Sequence, residues 1–205
     1  MKSYSDSCER NRQPILDVLV AEFSEIRKVL EIGSGNGQHA AFFAPRLRQL
    51  VWQTSDLAEN LADIRCWIDE VEEISLPAPL ELDVSSERWP DTGADAVFSA
   101  NTAHIMHWDR VCAMVAGVGR QLLASAGRGR FCLYGPFNEK GEFTSASNRQ
   151  FDAWLKQRDP SMGLRDLAEL ERIAGETGLA LARCHRMPAN NLLLVFDKVE
   201  TPDAR

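Results

Sequence analysis

The spacing of apolar residues switches between helical and strand-like several times along the chain. Ile15, Val18 or Leu19, Val20, Phe23 and Ile26 recur at helical intervals, which predicts an amphipathic helix. The lead-in over residues 3–13 is polar. Pro14 is predicted to open the helix, where a missing N–H costs nothing. Residues 29–32, Val-Leu-Glu-Ile, then read as a buried strand. Ala40, Phe43, Ala44 and Leu47 mark the inner face of a short helix that Pro45 ends or bends. Residues 50–54 read as a second strand with Ser55 and Asp56 at its end. Residues 59–70 read as a helix whose Leu61, Ile64, Trp67 and Ile68 face inward.

The alternation continues. Pro77 and Pro79 punctuate a loop before a third strand at 80–84, and Trp89-Pro90 breaks the chain before a fourth at 94–99. Asp109 is placed to cap a helix running to Ala124, with Val111, Met114, Val115, Val118, Leu122 and Leu123 inward. A fifth strand at 130–134 is followed by a polar segment, 138–148, with the length of a lid or substrate loop. Helices at about 148–157 and 164–177 come next, the second closed by Gly178. Two last strands, 179–186 and 192–199, have no room for a helix between them and pair antiparallel. Five strand–helix units and a closing hairpin predict an α/β protein. One domain spans 1–199, and a frayed tail occupies 200–205.

Between the first strand and its helix, three glycines alternate with small polar residues: Glu31-Ile32-Gly33-Ser34-Gly35-Asn36-Gly37-Gln38. Glycine admits positive φ and close backbone approach to a ligand. The first N–H groups of the helix offer donors to a polar or anionic group. A dinucleotide turn needs G-x-G-x-x-G. Gln38 stands where the third glycine belongs, which argues against a nicotinamide-dependent oxidoreductase. Asp56 lies about 20 residues beyond the loop, at a strand tip, where an acid accepts hydrogen bonds from ribose hydroxyls. Capping the next helix is its other reading.

The polar run 99–108 follows the fourth strand, on the carboxyl edge where open α/β sheets bind ligands. It carries Asn101, His104, His107 and Trp108. Neutral imidazole serves as a general base near pH 7, a His pair also occurs at metal sites, and a structural role is the third reading. No clear third ligand accompanies the pair, so no metal is expected. The two rings face the same way only if the segment is helical. Tyr134 and Phe137 either wall an acceptor site or pack in the core. Arg10 and Asn11 either fold over a cofactor or, for Arg10, form a surface ion pair. Arg165 either grips a substrate carboxylate or pairs with Asp166. Asn190 is a further loop candidate for substrate contact.

The Glu-x-Gly-x-Gly-x-Gly stretch resembles the first motif of class I S-adenosylmethionine (SAM) methyltransferases, in which the glycine loop wraps the amino-acid end of the cofactor. The resemblance implies a Rossmann-like, seven-stranded mixed sheet of order 3-2-1-4-5-7-6 flanked by helices. It makes Asp83 the acid that contacts the adenine amino group, with a solvated strand end as the alternative. The candidate cofactor residues are Asn11, Glu31, Gly33, Gly35, Gln38, Asp56, Asp83, Val84 and Asn101. His104, His107 and Tyr134 are the catalytic candidates, and Arg10, Trp108, Phe137, Arg165 and Asn190 the substrate-binding ones. Motifs at 7–16, 30–40, 101–108, 133–137, 144–152, 163–166 and 187–191 together resemble the methyltransferase-like protein 26 family. Met162 departs from that pattern, which has a Trp before the Gly-x-Arg-Asp run. The resemblance implies SAM as methyl donor and S-adenosylhomocysteine (SAH) as product, and names no acceptor. The expected function is methyl transfer to a small molecule. The alternative is a SAM-binding sensor or scaffold without catalysis.

Composition narrows the partners. The net charge of −7 over 205 residues argues against a nucleic acid held by phosphate contacts. No apolar run reaches the roughly 18–20 residues that span a bilayer, and residues 1–12 are polar and charged, so no membrane partner is expected. The cysteines Cys8, Cys66, Cys112, Cys132 and Cys184 form no C-x-x-C, which suits a reducing cytoplasm. Helices flanking such sheets often pair, so a homodimer is an open expectation.

Overall fold

The computed structural model describes residues 2–74 and 76–199. The expected frayed tail, 200–205, lies outside the described residues. Seven strands form one sheet: β1 (Lys28–Ile32), β2 (Val51–Asp56), β3 (Leu80–Glu81), β4 (Ala96–Ala100), β5 (Arg130–Gly135), β9 (Leu179–Met187) and β10 (Asn191–Lys198). Their order is β3-β2-β1-β4-β5-β10-β9. The first five pair in parallel, and β10 runs antiparallel to both β5 and β9. This is the expected order, with β9 and β10 as the sixth and seventh strands of the sheet.

The pleat sends alternate side chains to opposite faces. Leu30, Ile32 and Val97 point into one apolar layer, where they meet Met114, Val118, Leu170 and Ile173. Those residues come from α4 (Trp108–Ala124) and α6 (Leu167–Gly175). Val29 and Phe98 point the other way, toward Leu19, Phe43 and Ile64, on α1 (Asp6–Glu22), α2 (Gln38–Phe43) and α3 (Leu61–Ile68). Helices thus cover both faces, and the site is left to the strand ends. At the opposite edge, buried Arg130 ties α1 to the closing hairpin, 2.8 Å from Glu22 and 2.7 Å from Asp197.

Four sequence expectations change. First, α1 starts within the polar lead-in, because the Ser5 side chain caps it and accepts from the Cys8 N–H; Pro14 lies inside. Val20 leaves the apolar stripe and is exposed. Second, β3 stops at Glu81. Asp83 Oδ1 folds back to accept from the Ser85 N–H and hydroxyl, an Asx turn that ends the strand and leaves Asp83 and Val84 in the loop. Third, Asp109 lies in the first turn of α4, and the capping position is His107 without a side-chain bond. Fourth, the expected lid is a hairpin of β6 (Phe137–Glu139) and β7 (Glu142–Phe143), and β8 (Arg165–Asp166) pairs with β6. It packs ahead of α5 (Ala146–Arg158), with the Gly141 N–H donating to Asp166 Oδ2 at 2.6 Å.

Candidate active site

A cleft of about 850 Å³ opens at the carboxyl ends of β1, β2 and β4. Gly33 holds φ +68°, and a Cβ there would lie 2.5 Å from Thr102 Cγ2. Only glycine lets β1 pass this close to the loop after β4. Gly37 caps α2 at φ +89°, and a Cβ would lie 3.0 Å from the Ile64 carbonyl oxygen, so it sets how closely α2 meets α3. Several of the loop amides expected to face a ligand are occupied within the protein. Ser34 N donates to Ser55 O at 3.0 Å, Gly35 N to Asp56 Oδ2 at 2.7 Å, and Gln38 N to Asn36 Oδ1 at 3.0 Å. The cleft therefore meets bare backbone and carboxylate.

Asp56 is buried in the cleft wall. Its Oδ1 accepts from Leu57 N at 2.7 Å and Asn60 Nδ2 at 2.8 Å. A carboxylate offers about four lone-pair directions, so three bonds leave one for a hydroxyl. Asp56 places no capping bond on α3. Asp83 lines the same cleft beside Leu82 and Val84. Its bonds to Ser85 hold its pKa below the usual carboxylate range, with Arg110 3.8 Å away adding to the effect.

Two cofactor candidates stand behind the cleft rather than in its lining. Glu31 is 2% exposed, and its Oε2 accepts from Trp52 Nε1 and Ser34 Oγ, each at 3.0 Å. Burial pushes its pKa up to about 7 against those two bonds, and the Asp56 charge adds to the rise. It buttresses the glycine loop from beneath. Gln38 is buried and hydrogen-bonds the backbone of Ser5. With Trp67 Nε1 and Asn36 Nδ2, which both donate to Ser3 O, it pins the chain's start across the cleft, where Ser3, Tyr4 and Ser5 form a wall.

A second cavity of about 620 Å³ adjoins the first and shares Ser7 and Asn101 with it. Asn101 sits at φ +60°, and its N–H donates to Tyr134 O at 2.9 Å. His104 lines this cavity, is 6% exposed, and sets its ring edge-on to Phe151 at 5.2 Å. Burial, with the Arg165 charge, lowers its pKa to about 4. The ring is neutral at pH 7, and among the described residues no protein group hydrogen-bonds it. Tyr134 lines the same cavity beside Asn11 and Asn191; burial raises its pKa, and the two neighbouring amides oppose the rise. Asn11 Oδ1 lies 2.8 Å from Nε2 of His39, a ring stacked on Phe43 and lowered to about 4 by burial. Neutral His39 can donate to Asn11 Oδ1, which turns the Asn11 amide N–H groups toward the phenol.

The two expected imidazoles part company. Ile105 N and Met106 N both donate to Thr102 O, closing a turn rather than a helix, and His107 goes to the rim of the first cleft, 3.3 Å from Asp159. Arg165 lines neither cavity. Its guanidinium donates to the carbonyls of Ala103, Met106 and Ser161, clamping the turn that carries His104. It does not pair with Asp166. Trp108 packs against the core below Arg165, and Phe137 is 1% exposed in that core. Arg10 and Asn190 do line the second cavity. Met162 lies on the cofactor-sized cleft. Asn191, a polar loop candidate beside Asn190, lines the second cavity too, while Asn148 and Phe151 were not singled out, although they fall in the motif segment 144–152. Among the described residues, no three His, Cys, Asp or Glu side chains gather as a metal-binding group.

The topology and the cleft at its switch point define a Rossmann-like methyltransferase fold. The O-methyltransferase family protein from Burkholderia thailandensis is similar with a TM-score of 0.79 at 18% identity, over 96% of this chain and 59% of that one. Human N-acetylserotonin methyltransferase in complex with SAM gives 0.77 at 13%, over 95% and 53%. The S-adenosylmethionine-dependent methyltransferase SibL in its apo form gives 0.76 at 16%, over 94% and 56%. At these identities the likeness is one of fold, and the chain spans 53–59% of the length of these structures. The model of the family "Protein of unknown function (DUF938)" matches residues 2–198. The chain belongs to that family.

Proposed function

We propose that this chain is a SAM-dependent methyltransferase acting on a small-molecule acceptor. The observation that carries the reading is the junction at Asn101, where a cleft bearing the carboxylates of Asp56 and Asp83 opens into a cavity holding a buried, unbonded, neutral imidazole. SAM supplies a methyl group activated by a sulfonium. The backbone at Gly33 and Gly35 would receive its amino-acid end, Asp56 its ribose, and Asp83 and Val84 its adenine. Much of the acceleration then comes from holding donor and acceptor in attack geometry. His104 takes the acceptor's proton, and Tyr134, beside Asn11 and Asn191, orients the acceptor.

The motifs resembling the methyltransferase-like protein 26 family support this reading, since segments 101–108, 133–137 and 187–191 all contribute to the second cavity. The net charge of −7 disfavours a nucleic acid acceptor. No helix among the described residues is long and apolar enough to cross a membrane. The five free cysteines suit the cytoplasm, and a homodimer and a single domain over 1–199 belong to the same proposal. The test is calorimetric titration with SAM and SAH. Saturable binding that Asp56→Ala weakens supports the reading. No binding of either at millimolar concentration removes it. Tight binding with no methylated product from any of a broad acceptor panel, and no effect of His104→Ala, points instead to a SAM-binding sensor.

A further inference from the structure

The second cavity differs from the first in its charge. Five asparagines line it, Asn11, Asn101, Asn148, Asn190 and Asn191, and among the described residues no carboxylate does. Its one charged lining group is Arg10, exposed on α1 and without an ion partner among the described residues, whereas neighbouring Arg12 is paired with Glu9. The apolar walls are flat: Pro14, Pro136, Pro188 and the ring of Phe151. At the inner end stands the His104 ring, more than nine-tenths buried and with no protein partner. A cationic acceptor finds nothing here to offset its charge, and burying an unpaired charge is costly. An anion finds a guanidinium, which suits carboxylates through its fork of donors.

Resting on the methyltransferase reading, we propose that the acceptor is an aromatic hydroxy acid, its hydroxyl at His104 and Tyr134 and its anionic group toward Arg10. The planar ring lies between the prolines and Phe151, and the amides satisfy its polar edges. The acceptor oxygen forms the new O–C bond as the methyl group's bond to sulfur breaks and leaves its electron pair there. The hydroxyl proton passes to the neutral His104 ring. A base as weak as this one serves an acidic ring hydroxyl better than an aliphatic alcohol, because proton transfer follows the difference in acidity.

Three probes with one ring and one phenol but different charge test this: 4-hydroxybenzoate, 4-hydroxybenzyl alcohol and tyramine, titrated into the intact chain with and without SAH. The expected order is anion, neutral, cation, with the anion at least tenfold tighter than the cation. Arg10→Ala is expected to bring anion and neutral probe within threefold of each other. Binding of tyramine as tight as that of 4-hydroxybenzoate, or an Arg10→Ala variant that keeps the full preference, overturns the proposal. So does binding of none of the three. Since the ranking is also read without SAH, a failure of SAH to bind counts against the methyltransferase reading and a failure of the ranking against this one.

Discussion

The two adjoining cavities are built in opposite ways. The cleft at the ends of β1, β2 and β4 takes its bare backbone and two of its carboxylates from the strand ends and the turns that follow them: Gly33 and Gly35 after β1, Asp56 at the end of β2, Asp83 in the Asx turn after β3. The second cavity borrows its residues from α1, the loop after β4, the end of β5, α5 and the turn between β9 and β10. Asp56, Asp83 and Asp159 line the first, while asparagines and a neutral imidazole line the second. A cavity assembled from distant pieces depends on clamps such as the Arg165 guanidinium and the His39–Asn11 bond. On the proposed function, binding and chemistry should therefore be separable by mutation.

The largest expected effect falls on the second cavity alone. His104→Ala is expected to slow methyl transfer by about 10²–10⁴ while SAH affinity by calorimetry stays within twofold. Because burial holds the ring near 4, the acid limb of the wild-type rate profile should fall near pH 4, not near 6.5; a limb at 6.5 would assign the base elsewhere. Gly33→Val strikes the boundary between the cavities. With a Cβ 2.5 Å from Thr102 Cγ2 and a β-branched residue at φ +68°, chemical denaturation should show a loss of about 3 kcal/mol or more. Asp56→Ala should affect the first cleft alone, weakening SAH by about tenfold to a hundredfold, the range of a hydrogen bond to a charged group, with 4-hydroxybenzoate binding unchanged.

The smallest effect probes the support beneath the cleft. The pKa of Glu31 is raised to about 7 in the folded chain, above the usual unfolded value near 4.3. The folded state therefore holds its proton more tightly than the unfolded chain. The resulting stability is fully present below about pH 4 and is lost as pH rises through 7. Wild-type stability should thus fall by on the order of 1–2 kcal/mol between pH 6 and 8, and Glu31→Gln should flatten that decline in denaturation curves taken across the range.

The legible part of the site follows the same division. The glycine run and Asp56 could be found in the sequence because their spacing is local and strand-linked. Glu31 belonged to the same run, yet one residue's change of face in the pleat sends it beneath the loop to Trp52 and Ser34. His104 and His107 looked equivalent as a pair three apart, and the turn closed on Thr102 O sends them to different cavities. Arg165 looked like a substrate clamp because a guanidinium grips carboxylates. Three backbone carbonyls occupy it instead, and no linear pattern announces such a contact.

What the sequence determined by itself was the ordering of strands and helices, the doubly wound sheet with its closing hairpin, and the edge where a ligand would lie. Alternating apolar positions and turn residues act over a few neighbours, and the order of the strands within the sheet came from the resemblance to class I methyltransferases, since β1 lies beside β4 and β5 beside β10. The tertiary structure alone decided which polar residues share a cavity. Asn11, His104, Tyr134, Asn148 and Asn191 come from separate elements, and they meet only because two helical layers and the small β7-β6-β8 sheet close around the end of β5. Side-chain direction, burial and the loss of charge that burial imposes are properties of that closure, so His104 became neutral and unpartnered only once the chain had folded around it.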